Sequence, residues 1–150
     1  MKQLLQSVDT KYQCYMYLFV PSKLLFFARK LFLFPIYGHS KVGEFKFSSL
    51  NQQEIVALFS KSKAILDICH HNQSGLTMRS VEALGAKRKL ITNNVNIEKY
   101  DFFNPQNILI LDENNIQISN EFLDSDFEPI NSDIYTRYSI NGWVEEIFEL

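Results

Sequence analysis

The chain has 150 residues and a formal charge of −2, with 46% hydrophobic and 21% charged residues. That composition belongs to one globular domain able to bury a core, and the near-neutral charge argues against a broad nucleic-acid-binding surface. Its two cysteines, Cys14 and Cys69, form neither a CxxC pair nor a metal-ligand spacing and are expected as reduced core residues.

In chain order, residues 1–10 suit a short helix or loose tail, polar and without the apolar centre of a secretory signal. Residues 11–20 alternate, with Tyr12, Cys14, Met16 and Leu18 on one face of an expected strand. Pro21 ends it, Ser22 can cap the next element, and residues 23–33 can form a helix. Residues 24–34 have two readings. One is a helix packed on a sheet, with an apolar patch left outside. The other is an amphipathic helix at a membrane surface, because Lys23, Arg29 and Lys30 accompany a dense Leu/Phe face. Arg29, Lys30 and Pro35 interrupt it too early for it to span a bilayer.

Residues 38–43 are expected as a loop and 44–48 as a short strand. Residues 51–61 suit a helix capped by Ser49 or Asn51, with Glu54 in its first turn and Ile55, Leu58 and Phe59 on one face. A buried strand over 64–69 leads to a polar loop, and the loop opens a helix within QSGLTMRSVEALGA (73–86). Residues 89–93 supply the next strand. Residues 97–105 read as a short helix and turn, 107–111 as a strand and 112–115 as a turn; 116–123 is ambiguous and 124–133 is an acidic loop. A last helix over 140–150 has Trp143, Ile147 and Leu150 at helical spacing. This alternation predicts an α/β fold: a single Rossmann-like domain over 1–150, with a parallel sheet of about five strands and helices on both faces.

The loop and helix after residue 69 carry the chemistry. A helix start supplies backbone N–H donors and a positive dipole end, which suit a diphosphate. Gly75 lets the backbone approach closely, Ser74 and Thr77 can donate hydroxyls or cap the helix, and Arg79 offers a guanidinium fork. With the helix opening at Gly75, residues Gly75, Met78, Arg79 and Glu82 share one side, and Glu82 can accept from two ribose hydroxyls. Arg79 and Glu82 read equally as an ordinary surface pair. His70 and His71 can line the same site or be a polar strand end without a role.

Gly75, Arg79, the run Glu82-Ala83-Leu84-Gly85-Ala86 and the strand ending in Thr92-Asn93 resemble the donor-binding half of GT-B glycosyltransferases. The resemblance is to the bacterial surface-polysaccharide and lipopolysaccharide group with an Arg-x-x-Glu-Ala-Leu signature, and it covers roughly residues 40–150. It implies one half of a GT-B fold, a donor ribose on Glu82, and a nucleotide-sugar site built from His71, Gln73, Ser74, Gly75, Leu76, Thr77, Arg79 and Glu82. Many members carry a second Glu eight residues before the first, and this chain has Ser74 there, which affects sugar recognition and stereochemistry. The resemblance implies no divalent metal or other cofactor, and the sequence offers no metal-ligand set. Base, sugar and catalytic residues stay open.

A GT-B site lies between two Rossmann-like domains, and this length has room for one. The expectation is therefore a donor-binding domain incomplete as a catalyst alone, with a partner protein supplying the acceptor domain or with self-association. Alternatives are a non-catalytic α/β interaction module and a membrane-surface accessory protein of the same pathway. The expected location is cytoplasmic, with peripheral contact at the inner face of the membrane as an option. No nucleic-acid partner is expected.

Overall fold

The structure, a computed structural model, describes residues 9–32, 41–69, 75–112 and 117–148. It forms two compact units: one is Gln13–Ile55, and the other joins the chain up to Tyr12 to everything from Val56 onward. The fold is α/β, and all five described strands run parallel to their neighbours. They divide between a two-stranded and a three-stranded sheet rather than forming one sheet of five.

The smaller unit holds β1 (Leu18–Phe19), α1 (Lys23–Phe32) and β2 (Phe45–Lys46). Strand β1 pairs with β2 over two residues, Leu18 with Phe45 and Phe19 with Lys46. Ser22 caps α1, its hydroxyl accepting from the Leu25 N–H. Phe26 is the hub of this unit: its ring lies 4.9 Å from that of Phe45, 6.4 Å from Phe47 and 5.6 Å from Phe27. The strand expected over 11–20 is corrected to Leu18–Phe19. Residues 13–17 alternate in sequence, but β2 offers a partner only two residues long, and a strand without a ladder has nowhere to place its backbone groups. Cys14 is accordingly exposed rather than in the core, whereas Cys69 is buried.

Helix α2 (Gln52–Lys61) begins behind a reciprocal cap. The Asn51 side chain accepts from the Glu54 N–H at 2.9 Å, and the Glu54 carboxylate accepts from the Asn51 N–H at 2.8 Å. It leads into the larger unit, where β3 (Ala64–Asp67), β4 (Lys89–Thr92) and β5 (Ile108–Ile110) lie side by side in that order. Helix α3 (Met78–Gly85) forms the β3–β4 crossover. Alternation along the strands sends side chains to two faces. Ile65, Leu90 and Ile108 join Ala83 and Leu84 of α3, with Ile97 and Phe102, and Phe59 of α2 packs against them. Ile91 joins Phe122 and Leu123 of α4 (Asn120–Asp124), and Ala64, Leu66 and Leu109 pack against that second cluster. The central strand β4 is buried throughout, as expected of a parallel strand covered on both faces.

One buried cation belongs to this frame. Lys89 opens β4, and its Nζ donates to the Phe122 carbonyl at 2.6 Å and to the Ser125 hydroxyl. It thereby satisfies the end of α4. Burial lowers its pKa, against the opposing charges of Asp126 and Glu128.

The chain closes with α5 (Ser132–Arg137) and α6 (Ile140–Phe148). Gly142 is required where they meet, because a Cβ there would collide with the Thr136 carbonyl. The expected apolar stripe of the last helix faces outward: Ile140, Trp143 and Ile147 are exposed, and Leu150 lies outside the described residues. Among the described residues no helix is long and apolar enough to cross a membrane.

Candidate functional site

Parallel α/β sheets bind ligands beyond the carboxyl ends of their strands. Here that edge is formed by Asp67 at the end of β3, Thr92 at the end of β4, and the segments just beyond them. Asp67 and Thr92 are register partners, and both are buried.

Two consecutive asparagines after β4 hold the chain on either side of residues 70–74. The Asn93 side chain accepts from the Cys69 N–H at 2.8 Å and donates to the Cys69 carbonyl at 3.2 Å. The Asn94 amide donates to the Gly75 carbonyl at 3.0 Å. Asn94 is itself held, because its backbone N–H donates to Thr92 Oγ1 and its side chain accepts from the Asn96 N–H. Each such bond contributes about 0.5–1.5 kcal/mol net. Together they fix the points at which the loop leaves β3 and returns toward α3.

Asp67 ties the same strand to the start of α3. Its carboxylate accepts from the Thr77 hydroxyl and from the Ser80 hydroxyl, the latter at 3.1 Å. Thr77 is the N-cap, with Oγ1 accepting from the Ser80 N–H at 3.0 Å. A carboxylate beside a helix N-terminus is favourable, and buried as it is, Asp67 needs these donors. Cys69 Sγ stands 4.0 Å from the same carboxylate. Burial first, and then the Asp67 charge, push the thiol above its ordinary pKa, with the Thr92 hydroxyl working the other way. The thiol is therefore protonated at neutral pH and is no ready nucleophile.

Of the sequence-derived site residues, His71, Gln73 and Ser74 lie outside the described residues, as does His70. Helix α3 starts at Met78, not at Gly75, because Thr77 takes the extended cap conformation. Gly75 therefore precedes the cap and does not share a helical side with Met78, Arg79 and Glu82. It is exposed, and a Cβ there would meet no atom within 4 Å. Leu76 packs against the larger core cluster. Arg79 and Glu82 are brought together: Nη1 and Oε2 are 2.5 Å apart, and the guanidinium lies 5.6 Å from the Phe59 ring centre. Both are partly exposed, so the pair contributes only a few tenths of a kcal/mol, about 0.3–0.5.

Sequence reasoning missed Asp67, Asn93 and Asn94 as site-building residues. The available signal was an acid inside an otherwise apolar strand, followed by hydroxyls at a helix cap. A depression lined by Lys87, Phe127, Pro129, Ile130 and Tyr135 lies at the other end of α3, where the Tyr135 hydroxyl donates to the Gly85 carbonyl. No protein-family model, curated protein or solved structure gives a significant match to this chain.

Proposed function

We propose that this chain is the donor nucleotide-sugar-binding domain of a GT-B-type glycosyltransferase serving bacterial surface-polysaccharide or lipopolysaccharide synthesis. The observation that carries the reading is the β3–loop–α3–β4 unit, with Asn93 and Asn94 holding the loop's two ends at the carboxyl edge of a parallel sheet. In the proposal, Gly75, Thr77 and the neighbouring Ser74, Gln73 and His71 surround the diphosphate, and Arg79 balances its charge. Glu82 exchanges its partner Arg79 for two ribose hydroxyls. The domain supplies the donor half of the site and works with an acceptor-binding domain, in the cytoplasm, with neither metal nor nucleic acid.

Calorimetric titration with UDP, GDP, CDP and their sugar conjugates tests it, with Glu82→Ala measured beside the wild type. The expected result is binding of one nucleotide, lost in the variant, while its unfolding free energy changes by less than about 0.5 kcal/mol because the Arg79 pair is partly exposed. Absence of binding by every nucleotide at millimolar concentration overturns the proposal.

A second reading, a non-catalytic α/β interaction module, is favoured by Asp67. Its buried carboxylate already sets a negative charge against the start of α3, where a phosphate would otherwise be attracted. The same titration separates the two.

A further inference from the structure

The smaller unit carries a surface that the nucleotide-binding proposal does not use. Helix α1 is held from one side only. Phe26 is fully buried against Phe45 and Phe47, whereas Leu24 is 81%, Leu31 76%, Phe32 80% and Phe27 55% exposed. At about 100° per residue, Phe27, Leu31, Leu24, Ala28 and Phe32 fall in that order on one arc of about 140°. Arg29 lies at one margin of the arc, Lys23 and Lys30 lie at the other, and Phe26 points away from it. The helix is therefore anchored by one aromatic ring and presents an apolar face bordered on both sides by cations.

The surrounding sequence has the same sign. Within Gln13–Ile55 the cations Lys23, Arg29, Lys30, Lys41 and Lys46 outnumber the carboxylates Glu44 and Glu54, although the whole chain is net acidic. The excess of carboxylates falls elsewhere. A second copy of this helix, laid face to face by two-fold symmetry, would bring cationic margins against cationic margins. An anionic bilayer surface complements both features, with acyl chains meeting Leu24, Phe27, Leu31 and Phe32 and headgroup phosphates meeting the flanking cations.

We propose that α1 docks on an anionic lipid surface, lying in the plane of the interface and carrying the rest of the chain at the membrane. The helix is ten residues long, too short to cross, so the attachment is peripheral and reversible. Leu24, Leu31 and Phe32 are the most exposed of the contact residues, whereas the Phe27 ring also meets Phe26, so the two leucines are the probes of docking. Phe26 is the exception on this helix and is not a probe of docking.

Sedimentation of the full chain with vesicles tests the proposal. One set contains phosphatidylcholine alone and the other also contains phosphatidylglycerol. Expected is partition onto the anionic vesicles that weakens with added salt and stays at background on phosphatidylcholine. Leu24→Ser combined with Leu31→Ser should abolish it with an unchanged melting curve. Arg29→Gln combined with Lys30→Gln should weaken it about thirtyfold, at roughly fivefold per cation removed. A Leu24→Trp probe in a Trp143→Phe chain should shift its emission to the blue on anionic vesicles, which keeps the test open should the serine variant unfold. No partition of the wild type overturns the proposal, as does equal partition of the folded serine variant. Self-association that the serine variant disperses, without vesicle binding, overturns it in favour of a second copy. Nucleotide titration has no bearing on any of these outcomes.

Discussion

Lys87 is the described non-glycine residue with a positive φ, 53°. It comes just after the last turn of α3, where its N–H donates to the Leu84 carbonyl and the Arg88 N–H donates to the Ala83 carbonyl. That pair of bonds is the Schellman ending, which glycine fills at least cost because a Cβ crowds the left-handed backbone. Lysine stands there instead, with its ammonium 5.3 Å from the Tyr135 ring centre as a partial return. Lys87→Gly is expected to stabilise the protein by about 0.5–1 kcal/mol. The check is a urea melt, in which the midpoint rises while the slope stays unchanged. Glu82 marks the opposite case: it is partly exposed and its ion pair contributes little, so a loss of nucleotide binding on its removal could not be blamed on the fold.

Between single residues and the whole chain, the decisive joint is the one from β3 to α3. Asp67→Ala removes the acceptor for two hydroxyls in a buried setting and is expected to cost about 1–3 kcal/mol in a denaturant melt. The elements of this joint were legible in the sequence because each local signal agreed with the next. An apolar run, a Ser/Gly-rich loop, a Thr cap before Met78 and another apolar run admit few foldings besides βαβ. The joint's hydrogen bonds were not legible, because Asn93 and Asn94 reach back to Cys69 and Gly75 across the sheet edge, and sequence periodicity carries no information about such pairs. The start of α3 was misplaced toward Gly75 because glycine, serine and threonine all suit a helix entrance, and only the Ser80 N–H selects among them by bonding to Thr77. The segment 13–17 failed for a different reason. Its period of two was real, but a strand is a property of two chains, and β2 supplies two residues of partner. The spacing of Trp143 and Ile147 likewise identified a helix correctly without revealing that its apolar face stays outside.

For the molecule as a whole, the larger unit is assembled from both ends of the chain, with residues 13–55 interposed. The stitch is Asp124. It accepts from Lys11 Nζ at 2.8 Å and from the Tyr12 hydroxyl at 2.6 Å, and Lys63 stands 3.6 Å away, while Asn120 donates to Asp9. The Lys11 and Tyr12 hydrogen bonds hold the Asp124 carboxyl at about 2, below its ordinary value of 3.8. Because the folded value is the depressed one, its contribution is present above pH 3.8 and is lost as pH falls toward 2. Stability measured by urea melts should decline through that window, and Asp124→Asn should flatten the decline. The interposed arrangement also dictates an order of events when the chain folds. Strands β3, β4 and β5 pair with sequence neighbours, whereas the Lys11–Asp124 contact joins residues 113 apart. Closing so long a loop is entropically costly and gains little until the sheet exists to receive it. The sheet should thus form in the transition state and the stitch after it. In stopped-flow measurements Leu90→Ala should slow folding, whereas Asp124→Asn should leave the folding rate unchanged and speed unfolding. A chain built this way finishes with a part made early: the segment around Lys11, although synthesised before the sheet, waits for Asp124 before it has a place to go.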